Sequence, residues 1–354
     1  METILQKINN NKPLEEQLDH AADILRKGGL VSFPTETVYG LGANALDSDA
    51  VAKIFIAKNR PQDNPLIVHV SDLEMLNSFL APQSIPNIYL DLIHQEWPGP
   101  LTILCEKPEI LPLSVSAGQN TVAIRIPAHP VARALIKKCG FPLAAPSANT
   151  SGRPSPTLAN HVFEEMNGRI PLVIDGGPCE SGVESTVLDG LRTPPAILRP
   201  GGVTVETIRQ YIPQVLVYRK DFVDAGLEAA PSTPGMKYRH YTPNAEVVVV
   251  ELGADDGALV RQEDVLHQQY IKYSTEGGQV GVLKVGGSQY YPQYPLQFDL
   301  GVSANEVARN LFNGLRDLER NGANVILVQG ITEASEGLAV MNRVRKAASK
   351  CIAS

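Results

Sequence analysis

Cysteine is scarce in this chain: there are four in 354 residues, Cys105, Cys139, Cys179 and Cys351, far apart and never in a C-x-x-C pair. That spacing supports neither a disulfide framework nor a zinc site, and scattered reduced thiols are the simpler reading. The seven histidines contain no H-E-x-x-H pattern, so no metal is expected on protein ligands alone. No run approaches the roughly 20 uninterrupted apolar residues of a membrane helix, and Met1 to Lys12 is polar with no apolar signal core. A cytoplasmic protein away from membranes is expected. Excess positive charge is missing too: the net charge of -7 argues against strong non-specific nucleic-acid binding, which rests on phosphate neutralisation by Lys and Arg. A local basic pocket stays open.

What is present is ordinary for a globular protein, 43% hydrophobic and 19% charged residues, which excludes disordered and fibrous classes. At 354 residues the chain exceeds the usual size of one domain, so two are expected. The first unit opens with an amphipathic pattern from Pro13 to Lys27, stopped by Gly28-Gly29, and a strand from Leu30 to Pro34. A glycine-bearing turn, Thr35 to Ala45, leads to a helix over Ser48 to Asn59 and a strand over Leu66 to Val70. Further strands are expected at 101–106, 121–126, 143–145, 172–175 and 185–188, and helices near 85–95 and 131–139. The alternation predicts an α/β fold, a twisted mixed sheet with helices around a basic cavity.

Composition shifts after Tyr211, and Pro231-Ser232-Thr233-Pro234-Gly235 cannot continue a helix or central strand. Residues 1–211 therefore read as the first domain, 212–243 as a linker and 244–354 as a smaller three-layer, Rossmann-like α/β domain with a mostly parallel sheet. Its strands are expected at 245–252, 279–285 and 324–329. Its clearest helix is Ala304 to Asn321, with a capping box in Ser303 and Glu306 and a stripe of Val307, Leu311, Leu315 and Leu318. A last helix is expected over Gly337 to Lys350.

Chemistry concentrates in the first domain. Lys58 and Arg60 lie one residue apart where a helical pattern gives way to Pro61, and both side chains can enter the mouth of the following turn, a place for a polyanion. Ser147 and Asn149 follow a strand of small residues with neutral donors and acceptors, and the two groups together point to a nucleoside triphosphate site without a P-loop. Gly40-Leu41-Gly42-Ala43-Asn44-Ala45 fits G-x-G-x-x-A, but the acidic residue that should close the next strand is missing. These glycines read instead as letting backbone pass close to a ligand or another strand. Thr35 and Thr37 flank Glu36 after a strand, where hydroxyls either meet a ligand or cap the turn. His69 lies opposite Leu66, Val68 and Val70 on an alternating strand, as a structural residue or a ligand. Arg125 interrupts an apolar strand and needs an anionic partner, either an internal acid or a substrate carboxylate. Arg199, in Leu198-Arg199-Pro200-Gly201, poses the same choice with phosphate as the ligand.

The ordered run of Pro34-Thr35-Glu36-Thr37-Val38-Tyr39-Gly40-Leu41-Gly42, Lys58-x-Arg60-Pro61, Asn64-Pro65-Leu66, Trp97-Pro98-Gly99-Pro100-Leu101-Thr102, Arg125-Ile126-Pro127, Ala145-Pro146-Ser147-Ala148-Asn149, Gly182-Val183-Glu184-Ser185-Thr186 and Leu198-Arg199-Pro200-Gly201 resembles the YrdC/Sua5 family of threonylcarbamoyl-AMP synthases. Pro234-Gly235-Met236-Lys237-Tyr238-x-His240-Tyr241-x-Pro243 and Ala339-Val340-Met341-Asn342-Arg343 resemble the linker and tail of its two-domain Sua5 type. The resemblance implies that ATP, L-threonine and bicarbonate are the substrates, with Mg2+ carried on the ATP. The products would be threonylcarbamoyl-AMP and pyrophosphate, supplied to a downstream machinery that modifies tRNA. It implies that Lys58, Arg60, Asn64, Thr121, Ser147, Asn149, Ser155, Arg199 and Tyr241 meet ATP. Thr35, Thr37, His69, Arg125, Ala145 and Ser185 would form the threonine pocket, and Tyr238 and His240 would belong to a lid in the linker. An RNA-binding module and a transferase using carbamoyl phosphate are the rival readings. The first lacks interleaved aromatic and basic residues, and the Sua5-type linker and tail disfavour the second.

Overall fold

The computed structural model describes residues 2–229, 231–232, 240–286 and 291–354. The chain divides into two compact units, Met1–Ser151 with Ser155–Glu180 and Glu184–Tyr238, and Gly152–Pro154 with Ser181–Val183 and Arg239–Ser354. Among the described residues no helix is long and apolar enough to cross a membrane.

The first unit is built on eleven strands: β1 (Ile4–Lys7), β2 (Val31–Phe33), β3 (Gly40–Asn44), β4 (Ile67–His69), β5 (Leu101–Glu106), β6 (Thr121–Arg125), β7 (Leu143–Ala144), β8 (Leu172–Asp175), β9 (Thr186–Asp189), β10 (Ala196–Arg199) and β11 (Leu216–Val217). Their order in the sheet is β1-β8-β2-β3-β7-β4-β6-β5-β9-β10-β11. The sheet is mixed, with β4 and β6 parallel and β7 and β5 running antiparallel to them on either side. The segment expected as a turn over Thr35 to Ala45 contains β3, paired antiparallel with β2. Gly42 is needed for that pairing, because a Cβ on it would stand 2.7 Å from the Phe33 ring. A strand, and not a turn opening a helix, is what the G-x-G-x-x-A pattern encodes here.

The expected helix over Pro13 to Lys27 is two pieces, Leu14–Gln17 and Asp19–Arg26, joined at Leu18. The second piece buries Ala21, Ala22 and Leu25 against Val31, Phe33, Leu135 and Leu172. The helix Ser48–Lys58 is capped by Asp47, whose carboxylate accepts from the Asp49 and Ala50 amides, and ends in a left-handed Asn59. That end delivers Lys58 and Arg60 on either side of a sharp turn.

Residues 212–229, expected as linker, instead complete this unit. β11 pairs parallel with β10, and Tyr218 and Leu227 pack on Ile67, Leu104, Ala123 and Leu198. The sequence hides this because a two-residue strand is too short to show a period.

The second unit holds β12 (Glu246–Val250), β13 (Val280–Lys284), β14 (Gln297–Asp299), β15 (Val325–Gln329) and β16 (Lys350–Ile352), all parallel, in the order β14-β13-β15-β12-β16. Helix Ala304–Arg320 carries the expected capping box, with the Ser303 hydroxyl accepting from the Glu306 amide. Helix Ala258–Thr275 escaped the sequence reading, since only Ala258, Gln262 and Leu266 on it are buried, too few for an apolar stripe.

Candidate active site

Six of the residues singled out by the sequence collect where β4 and β6 begin and β7 ends. Lys58 is buried and its Nζ donates to the carbonyls of Ser147 and Asn149, both at 2.5 Å. It therefore braces the backbone of the 146–149 loop. The same loop is zipped to β3 through Leu41 N to Pro146 O and Ala148 N to Tyr39 O, each 2.8 Å. Burial and the nearby Arg60 charge hold the Lys58 ammonium well below its ordinary pKa. Arg60 donates to the carbonyls of Asn64 and Pro65 at 3.3 and 3.0 Å, fixing the turn that enters β4. Asn64 is buried with its Oδ1 unpaired among the described residues, an acceptor open to a donor. Thr121 opens β6 at the same edge, half-buried.

A second group forms where β4 and β6 end. His69 and Arg125 are register partners across the two strands and share a face. The Arg125 guanidinium donates from Nε to Gly99 O at 3.1 Å, from Nη1 to the Thr37 hydroxyl at 2.8 Å and from Nη2 to Glu36 Oε1 at 2.5 Å. Both members of the Arg125–Glu36 pair are buried, so their charges compensate each other inside the protein. A guanidinium has five N–H groups. Three are engaged, which leaves one on each terminal nitrogen for a further acceptor. Thr35 and Thr37 share a hydroxyl hydrogen bond of 2.8 Å, and Thr35 also donates to Val38 O at 2.6 Å. Thr35 therefore caps the turn and orients Thr37.

His69 is buried, and desolvation together with the Arg125 charge pushes its pKa down to about 3, so the ring is neutral. Its Nδ1 lies 3.3 Å from Ile67 O. A carbonyl only accepts, so Nδ1 carries the proton and Nε2 is left as an acceptor. Ala145 follows β7 and its amide donates to Ile67 O at 3.0 Å, placing it two residues along β4 from His69.

Strand directions bring three more residues to the His69–Arg125 edge. β5 runs antiparallel to β6, β9 parallel to β5 and β10 antiparallel to β9. Thr102 on β5, Ser185 just before β9 and Arg199 at the end of β10 therefore meet. The Ser185 and Thr102 hydroxyls lie 2.7 Å apart, and Arg199 donates to Ser185 O and Oγ at 2.9 and 3.2 Å. Ser155 donates to Glu184 Oε1 at 2.6 Å, next to Ser185. Gly201 permits this packing: a Cβ there would fall 2.3 Å from Glu184 O and 2.4 Å from Ser185 C.

The two edges are separated by the length of β6. Thr121 and Arg125 are four residues apart on it, about 13 Å at the rise of an extended strand. Glu36, Thr102 and Glu184 had no role assigned from sequence. All three lie inside quoted motifs, and the signal for Glu36 was the need of Arg125 for an acid.

Of the linker residues, Tyr238 lies outside the described residues. His240 and Tyr241 are in the second unit, where Tyr241 has a left-handed φ of 66° and is buried. Its ring stacks on Phe312 at 5.2 Å, has the Arg343 guanidinium 5.6 Å from its centre and meets the His240 ring edge-on at 4.2 Å.

Residues 23–201 match the Sua5_yciO_yrdC family, described as telomere recombination, and residues 203–349 match the threonylcarbamoyl-AMP synthase C-terminal domain. The chain is 47% identical over 341 residues to a threonylcarbamoyl-AMP synthase of Pyrococcus abyssi, covering 96% of each. It is 46% identical over 364 residues to one of Schizosaccharomyces pombe, covering 94% of this chain and 88% of the relative. The crystal structure of P. abyssi Sua5 complexed with L-threonine aligns with a TM-score of 0.90 at 45% identity, over 99% of this chain and 100% of that one.

Proposed function

From the membership of this chain in the Sua5/YciO/YrdC family, in its two-domain Sua5 form, we infer an ATP-using synthase that makes threonylcarbamoyl-AMP for the t6A modification of tRNA. L-Threonine, bicarbonate and ATP are joined with release of pyrophosphate. The observation that carries the assignment of the site is the buried Arg125, held on three sides by Gly99, Thr37 and Glu36 with one N–H left on each terminal nitrogen.

In this reading Arg125 grips the threonine carboxylate bidentately, and Thr37, neutral His69, the Ala145 backbone and Ser185 surround the rest of the amino acid. Lys58, Arg60, Asn64, Thr121, Ser147 and Asn149 receive ATP at the other edge of the sheet, with magnesium travelling on the nucleotide. A nucleotide reaching from one edge toward the other brings its α-phosphate to Arg199 and Ser155, which stand beside Ser185. There the carbamate oxygen attacks phosphorus and pyrophosphate leaves. Two anions must meet in this step, so orientation and charge neutralisation by Lys58, Arg60 and Arg199 supply most of the acceleration. No covalent nucleophile is required. Tyr241 is assigned to ATP as well, with His240 and Tyr238 in a lid over residues 231–243 that keeps water from the unstable intermediate.

Pure protein incubated with ATP should release pyrophosphate only when both threonine and bicarbonate are present. RNA binding without release would favour the nucleic-acid module, and phosphate release from carbamoyl phosphate would favour the transferase.

A further inference from the structure

Glu36 gives one carboxylate oxygen to Arg125 and keeps the other. Oε1 lies 2.5 Å from the guanidinium, while Oε2 is buried with no hydrogen-bond partner among the described residues, on a side chain only 9% exposed. An anionic oxygen buried without a donor is costly, and such atoms commonly mark where a ligand group belongs. The proposed threonine pocket has a cationic receptor for the carboxylate, and among its members named so far no anionic one for the ammonium beside it. We propose that Glu36 is that receptor: Oε1 fixes the fork of Arg125, and Oε2 accepts an N–H of the threonine ammonium and then its proton as the carbamate forms. The proposal rests on the assignment of Arg125 to the threonine carboxylate.

The other polar groups nearby are less suited. The Thr35 hydroxyl is committed to Val38 O and Thr37, and the Thr37 hydroxyl to Thr35 and Arg125. The His69 ring can accept a hydrogen bond at Nε2, but its depressed basicity keeps it from holding a proton. Among the described residues the charged and titratable groups facing Glu36 are Arg125 from β6, His129 from the start of helix Pro130–Cys139, and Cys179 with its neighbour Glu180 from the loop after β8. Burial pushes the Cys179 thiol up and His129 down, so both are neutral near pH 7. Glu36 also lines an open cavity of about 750 Å³ with Lys7, Asn9, His129, Asp175 and Glu180, which connects it to solvent.

The proton balance closes. The ammonium gives one proton to Glu36 Oε2, and the freed nitrogen lone pair attacks the bicarbonate carbon. Hydroxide leaves with the second amine proton as water, and the carbamate remains. Glu36 returns its proton to water through the cavity, so one ammonium and one bicarbonate give one carbamate, one water and one proton.

The test compares full-length wild type, Glu36→Gln and Glu36→Asp by threonine calorimetry without bicarbonate, by pyrophosphate release from about pH 6.5 to 9, and by thermal melting. Glu36→Gln should weaken threonine binding tenfold or more and leave the KM for ATP unchanged. Its kcat should climb by about tenfold per pH unit as free amine becomes available in solution, against a much flatter wild-type profile. Glu36→Asp should recover part of the threonine affinity and part of the flat profile. Glu36→Gln with wild-type affinity and profile would overturn the proposal. A loss equal at every pH, with a lowered melting temperature and no recovery in Glu36→Asp, would also overturn it by showing a merely structural carboxylate. A wild type that ignores threonine and bicarbonate would instead defeat the functional reading itself.

Discussion

His69 and Arg125 stand directly opposite each other at the ends of two parallel strands, one imidazole made neutral by burial and one guanidinium paired with Glu36. Charge is thereby confined to the group that needs it. A second positive charge on the ring would repel Arg125 and break the balance of the buried pair.

This pairing sets a stability prediction. The His69 pKa in the folded protein is about 3, below the ordinary value of 6.5 for an unfolded histidine. Between those values the unfolded chain binds a proton that the native state refuses, so native stability falls as pH drops from about 6.5 toward 3. The slope from this residue is about 1.4 kcal/mol per pH unit, and His129, shifted in the same direction, adds to it. Denaturant unfolding at about pH 7.5 and 5.5 should show the loss, and His69→Gln should reduce it.

Arg125→Lys keeps the charge and removes the planar fork. The KM for threonine should rise by about a hundredfold, equivalent to about 3 kcal/mol for a charge-assisted bidentate pair. The KM for ATP should change much less, because the contacts proposed for it at Lys58, Arg60, Asn64 and Thr121 lie at the other edge of the sheet. Pyrophosphate release measured with each substrate varied in turn separates the two constants.

Lys58→Ala and Arg60→Ala should lower turnover by orders of magnitude while circular dichroism still reports a folded chain. Lys58→Ala also strands the Ser147 and Asn149 carbonyls, and each buried orphan costs about 1 to 3 kcal/mol. A lower melting temperature should accompany that variant. Near-normal turnover in either would remove that residue from phosphate handling.

Gly201→Ala places a methyl group against the backbone of Glu184 and Ser185. Overpacking of this kind costs about 1 to 3 kcal/mol, and here it moves Ser185 away from Thr102 and Arg199. Weaker threonine binding together with a lower melting temperature is the expected result, read by calorimetry and thermal scanning.

Tyr241→Ala empties the space between Phe312 and Arg343 and should destabilise the second unit by about 3 to 5 kcal/mol. Tyr241→Phe keeps the stacking and should lose much less stability than Tyr241→Ala. A raised KM for ATP in that variant alone would tie the hydroxyl to the nucleotide.

Much of the fold was legible locally. Strands 101–106 and 172–175 were read at their observed bounds, and the capping box of Ser303 and Glu306 announced the helix that follows it. Local chemistry sufficed there because apolar runs and caps act within a few residues. The segment of β3 was expected as a turn because glycines usually mark turns; a close approach to another strand was legible in them, and the structure adds that Gly42 faces the Phe33 ring of β2. The helix 258–275 was missed because a mostly exposed face carries no apolar period.

The sequence by itself determined the inventory: a two-unit α/β chain, cations after the first long helix, an arginine in an apolar strand, and the ordered motifs that identify the family. Tertiary structure alone decided the pairings. Arg125 meets Glu36 across 89 residues and Lys58 meets the Asn149 carbonyl across 91. It also decided that Arg199 and Ser155 stand at the His69–Arg125 edge although the resemblance assigns them to ATP. The physical reason is that a residue's place in a mixed sheet depends on the direction of every strand between it and its partner. Strand direction is fixed by how the whole core packs, and no local run of residues encodes it.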